Sequence, residues 1–125
     1  MAITLAAGPS GTGADAPSWN QFRGPNGSGV AQDCRPPLKP EADHQAWKVA
    51  IPPGLSSPVL SDGKIFLTAI DNNRLVTLAF ESNSGKSLWR REAPEVPLEK
   101  VHKTSSPATS TPLVDAGHVY VYFGS

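Results

Sequence analysis

The sequence has few cysteines, few core-forming residues and no excess of charge. Cys34 is the only cysteine, so no disulfide can form within the chain. Leu, Ile, Val and Phe together number 27 of 125 residues, about 22%, just above the level at which a chain fails to assemble a core. The 11 basic residues balance the 11 acidic ones, so the high net charge that usually accompanies disorder is absent. That neutrality, without basic clusters, also removes the electrostatic basis for binding nucleic acid or an anionic membrane surface. No apolar run approaches the ~18 residues of a membrane helix. No stretch of ten or more residues carries the 3.6-residue period of an amphipathic helix.

Signatures of chemistry are equally sparse. His44, His102 and His118 are dispersed, and no Cys/His cluster has metal-ligand spacing. Gly85-Lys86-Ser87 imitates the end of a phosphate-binding loop, but that motif needs a glycine where Phe80 stands. Gly24 to Gly29 is glycine-rich yet lacks a lysine, and Pro25 suits a turn better than a phosphate cradle. No nucleophile elbow is present, and Cys34 reads as an incidental thiol. The sequence therefore nominates no catalytic, cofactor-binding or metal-ligating residue.

What is present divides into two parts. Nine of the thirteen prolines and seven of the eleven glycines lie in residues 1–58, which predicts an irregular first part followed by regular strands. Residues 1–18 have the composition of a flexible leader. Their apolar start fits the end of a signal peptide as well as an ordinary terminus, since a complete signal carries a basic first region. Residues 19–45 read as an irregular strap in which Trp19 and Phe22 need an apolar surface to dock on. From Ala46 the pattern alternates. Strands are predicted at 46–51, 57–61, 64–70, 75–80 and 86–90, with Asp62-Gly63 as a strong hairpin signal between the second and third.

The strand region repeats. Trp47 and Trp89 lie 42 residues apart, within the ~40–45 spacing of four-stranded propeller blades. Ser57-Pro-Val-Leu-Ser-Asp-Gly-Lys-Ile-Phe-Leu67 aligns without gaps on Thr111-Pro-Leu-Val-Asp-Ala-Gly-His-Val-Tyr-Val121, at an offset of 54. The difference of 12 between the two offsets isolates an insertion, assigned to residues 92–108. Insertions of this kind fall in loops on one face of a repeat array. Gly63, Gly85 and Gly117 supply the backbone freedom that tight hairpins need. A tryptophan at a fixed place in each repeat offers a large apolar wedge between neighbouring sheets. The expected fold is all-β: a β-propeller of four-stranded antiparallel blades, with about one and a half blades present. Residues 46–91 would hold a closing strand plus the first repeat, and 109–125 the start of a second.

At Ala79-Phe-Glu-Ser-Asn-Ser-Gly-Lys-Ser-Leu-Trp89 the repeat resembles the tryptophan-docking motif of pyrroloquinoline-quinone-like β-propeller repeats, roughly Ala-x-Asp-x-x-Thr-Gly-Lys-x-x-Trp. Ala79, Gly85, Lys86 and Trp89 match, while Glu81 replaces the Asp and Ser84 the Thr. Trp19 to Gly29 is similar to the leader of exported, planctomycete-type members, and His102 to Ala108 to the loop before their second blade. A lipoprotein that assists outer-membrane barrel assembly is related to the family. The resemblance implies a ring of seven or eight blades, so the chain would be an N-terminal fragment whose C-terminal blades pack on it. It further implies a non-catalytic scaffold that binds other proteins, exported to the periplasm or cell envelope, with no cofactor of its own. Arg23, His102 and Lys103 are the candidate partner surface. The alternative is the first part of a quinone-dependent dehydrogenase, with pyrroloquinoline quinone and calcium held by other blades.

Overall fold

In the computed structural model, which describes residues 2–6, 18–32 and 34–124, the chain is all-β and its sheets are antiparallel. The strands are β1 (Ala2–Ala6), β2 (Gln45–Ala50), β3 (Val59–Ser61), β4 (Lys64–Asp71), β5 (Arg74–Glu81), β6 (Ser87–Glu92), β7 (Leu113–Asp115) and β8 (His118–Tyr120). Among the described residues the helical segments are single 3-10 turns at Pro25–Gly27 and Ala42–His44. No helix there is long and apolar enough to cross a membrane.

Strands β3 to β6 form one meander in chain order. Its turns follow local chemistry. Asp62 and Gly63 have φ of 49° and 69°, and Asn72 and Asn73 have 49° and 61°, so both hairpins place two left-handed residues at their centre, as right-twisted strands require. The β5–β6 turn is held by Gly85 N–H donating to Glu81 O (2.9 Å), and by the Ser84 hydroxyl bonded to the Glu81 carboxylate. Val59 to Ser61 pair with Phe66 to Lys64, so β3 covers less than half of β4, while β4 and β5 pair along their whole length.

Both faces of the meander are apolar. Ile65, Leu67 and Ala69 of β4 and Val76, Leu78 and Phe80 of β5 share one face with Ile51, and Trp47 and Val49 of β2 pack across it. Val59, Phe66 and Ala79 form the other face, covered by Val114 of β7, with Trp89 and Val119 alongside. The central strands are buried almost throughout, which explains how a sequence with so few large apolar residues still makes a core: nine of the thirteen buried apolar residues sit in these two strands. Where burial runs this continuously, alternation weakens as a signal and length with flanking turns carries the assignment.

The strand bounds agree with the sequence reading to within about two residues, but the start of the chain does not. Residues 2–6, inside the segment expected to be a flexible leader, form β1 antiparallel to β2. Ala-Ile-Thr-Leu-Ala alternates in the way a strand does, and β2 sits outside the meander with an edge to pair. The small residues that follow dominated the composition and hid it. The remainder of the expected leader, residues 7–17, lies outside the described residues.

Ion pairs close the end of the meander where β4 turns into β5. Arg74 meets Glu92 (3.3 Å) and Glu95 (2.8 Å), and Arg90 meets Glu92 (2.7 Å) and Asp71 (3.0 Å). The Arg90 hydrogen bond, with the charges of Arg90 and Arg74, holds the Glu92 carboxyl below its ordinary value of 4.5, against a smaller desolvation effect. A lowered carboxylate pKa contributes stability that is present above the unfolded value and lost as pH falls through the folded one. Glu92→Gln is therefore expected to flatten the fall in urea midpoint below about pH 5. An acid limb as steep as that of the unmodified chain would remove Glu92 from this role. These groups are exposed, so added salt should shrink the difference.

Candidate functional site

Part of the repeat motif, Trp47, Glu81 and Gly85, meets at one place, the contact of β2 with the β5–β6 turn. Gly85 has φ of +69°, and a Cβ built there would lie 2.6 Å from the Trp47 ring and 2.9 Å from Val49. Trp47 thus lies flat against the bare backbone of the turn. Its Nε1–H donates to Ser82 O at 2.8 Å, which fixes the ring while satisfying its one polar atom. Sequence reasoning assigned Gly85 only turn freedom, yet the second demand, close approach of an indole, is the stricter one. Glu81 and Ser84 shape the same turn. Lys86 is exposed, its N–H donating to Ser84 Oγ (3.1 Å).

Ala79 and Trp89 belong to the opposite face. Ala79 is fully buried and pairs across β5–β6 with Trp89 and across β4–β5 with Phe66. Its methyl group leaves room for the rings on either side, and the centroids of Phe66 and Trp89 stand 5.7 Å apart with a 40° tilt. Trp47 and Trp89 therefore serve opposite faces of the meander.

The sequence match at offset 54 is matched in hydrogen-bond register. Val59↔Phe66, Leu60↔Ile65 and Ser61↔Lys64 in the first hairpin correspond to Leu113↔Tyr120, Val114↔Val119 and Asp115↔His118 in the second. Ala116 and Gly117, with φ of 45° and 77°, repeat the left-handed pair Asp62-Gly63. The segments leading into the two hairpins also meet. Leu55 N–H donates to Ala108 O (2.9 Å), Ser57 N–H to Thr111 Oγ1 (3.1 Å), and Thr68 Oγ1–H to Ser110 O (3.1 Å).

The proposed partner residues are not gathered. Arg23 is exposed, with φ of 62° and its guanidinium 3.4 Å from Ser28 O. His102 and Lys103 are exposed in the loop between β6 and β7, where His102 Nδ1 bonds Thr104 Oγ1 (2.8 Å). Among the described residues no hydrogen bond or ion pair joins Arg23 to either. The loop itself is anchored at both ends, by Ala93 N–H to Leu75 O (2.9 Å) and by buried Ala108, and is mostly exposed between. Beneath it, Asn73, Arg74, Leu75, Pro94, Glu95 and Leu98 line a hollow of about 60 Å³, room for a water or two rather than an organic ligand. Among the described residues no three His, Cys, Asp or Glu side chains are placed to hold a metal ion.

Sequence reasoning missed two participants. Ser56 is buried against β4, and Asn20 ties the strap to β7 through Nδ2–H donating to Val114 O at 3.0 Å. The repeat alignment begins one residue after Ser56, so extending it to Ser110 offers a faint signal; for Asn20 there is none. No protein-family model matches the chain, and no curated protein matches it.

Proposed function

We propose that the chain is part of a β-propeller of the pyrroloquinoline-quinone-like repeat type and acts as a non-catalytic scaffold that binds other proteins in the cell envelope. The observation that carries this reading is the shared register of the two hairpins 54 residues apart, stacked through Val59, Phe66, Val114 and Val119. Two successive units of the same register that meet through opposite faces, Val59 and Phe66 of the first against Val114 and Val119 of the second, generate a rotational stack, and each unit buries its faces only against neighbours. The Trp47 contact with Gly85 supports it from the other face, because β2 covers the meander without belonging to it. In this reading the face carrying Leu113 and Tyr120, 39% and 54% exposed, is equivalent to the buried Val59–Phe66 face and takes a further hairpin of the same kind.

The 92–108 loop is the surface proposed to meet partners, with His102 and Lys103, while Arg23 offers a second charged point on the strap. Loops held at their ends by a rigid scaffold are where binding residues concentrate. The test is affinity capture from an envelope extract with the intact protein and with residues 92–108 replaced by a short glycine-serine link. Partners retained by the first and lost by the second support the reading; an unchanged partner set removes the loop from it.

A further inference from the structure

Leu60 and Val114 are 54 residues apart, the repeat offset, and so occupy the same place on the edge strands β3 and β7. Both edges are closed by the strap. Trp19 N–H donates to Leu60 O (2.7 Å) and Leu60 N–H to Trp19 O (2.9 Å). One residue on, Val114 N–H donates to Asn20 O (2.8 Å), and Asn20 Nδ2–H donates to Val114 O (3.0 Å). The Asn20 carboxamide stands in for a backbone N–H, so two consecutive residues complete equivalent edges on two successive hairpins. Unfilled, each edge would present a backbone donor and acceptor ready to pair with another chain.

The remainder of the strap is organised around itself. The Trp19 ring lies against Gly24, whose φ of +66° and lack of a side chain allow that contact. Gln21 Nε2–H donates to Gly24 O (2.9 Å), Gly24 N–H to Gln21 O (3.0 Å), and Gly29 N–H to Arg23 O (2.7 Å). Every described residue from 28 to 46 is exposed. Among the described residues, the four bonds of Trp19 and Asn20 are the ones that join residues 18–44 to the strands. An element tied to the hairpins through two residues, with exposed chain between it and β2, is an arrangement from which segments exchange between copies.

We propose that the paired edges at Leu60 and Val114 form a binding site for an extended peptide in which a residue that pairs through its backbone is followed by a carboxamide. Trp19-Asn20 fills it in cis, and the same segment of a second copy of this chain fills it in trans. The affinity is main-chain pairing, as in other strand-addition sites, and the carboxamide is what spans from one repeat to the next. The site needs only the two hairpins and does not depend on a closed ring.

The test uses the full chain with Trp19→Ala and Asn20→Ala, and a fluorescent synthetic peptide of residues 18–29. Saturable binding to this variant is expected, at least tenfold tighter than to the unmodified chain, whose own segment competes at high effective concentration. The peptide with Asn20→Ala should bind about fivefold more weakly, the loss of one hydrogen bond. A variant with native circular dichroism that binds no peptide, or equal binding to variant and unmodified chain, overturns the proposal. Equal binding of the two peptides overturns its carboxamide part. If the variant does not fold, amide hydrogen exchange in the unmodified chain decides. Leu60 and Val114 should exchange together and at least tenfold faster than the amides of β4 and β5, through release of the strap; exchange only with global unfolding refutes a detachable segment.

Discussion

Gly85→Ala is expected to destabilise the chain by about 2–5 kcal/mol, combining a left-handed alanine with overpacking against an indole. The two contributions separate by comparison. Gly117 also has a positive φ, of 77°, but nothing lies within 4 Å of a Cβ built there, so Gly117→Ala should cost about 1–2 kcal/mol from the backbone alone. At Gly85 the Trp47 ring must move, breaking its bond to Ser82 O and opening the face that holds Ile65, Leu67 and Phe80. A double-mutant cycle makes the contact explicit. With Trp47→Ala in place, the penalty of Gly85→Ala should shrink toward that of Gly117→Ala, because the obstacle is gone. Urea unfolding followed by far-ultraviolet circular dichroism measures all four variants. Additive penalties would mean that Trp47 is not seated on Gly85.

Ser56→Ala is the second large effect, about 2–4 kcal/mol, from removal of a single buried hydroxyl. Strand β3 pairs with β4 only as far as Phe66, so the outward N–H and C=O of Thr68 have no strand partner. The segment that runs past them contains Pro52, Pro53 and Pro58 and is poorly suited to extend a ladder. Ser56 takes over that part: Thr68 N–H donates to Ser56 Oγ (2.9 Å), and the Ser56 hydroxyl donates back to Thr68 O (3.2 Å). Alanine strands both backbone groups in a region where Ser56 is 7% and Thr68 1% exposed. Thr68→Val removes only the hydroxyl that reaches Ser110 O, a half-buried carbonyl that water can serve, and should cost about 1–2 kcal/mol. If Ser56→Ala proves milder than Thr68→Val in thermal unfolding, the serine does not carry the ladder.

These two sites mark how far the candidate site could be read in advance. Gly85 was visible as a glycine in a turn, since a four-residue stretch of Ser, Asn, Ser and Gly between strands is local chemistry. That an indole 38 residues away lies on it was not, because nothing local to Trp47 names its partner. Ser56 looked like one more serine among prolines. Its importance arises only from where β3 stops, and that depends on the register of β3 against β4. Asn20 is the extreme case, a strap residue whose function is to reach an edge strand 94 positions away.

By itself the sequence determined the elements and their repetition. The spans of β2 to β6, the left-handed turn at Asp62-Gly63 and the offset of 54 all follow from short-range rules: alternation, β-propensity, and which residues tolerate positive φ. Tertiary structure alone decided which surfaces close on which. It set Trp47 and Trp89 on opposite faces of one meander, enlisted residues 2–6 as a strand for β2, and drew the strap across both hairpin edges. The reason is physical. Strand formation is governed by neighbours in sequence, whereas the pairing of faces and edges depends on chain closure over long separations, where burial and backbone hydrogen bonds must be satisfied together.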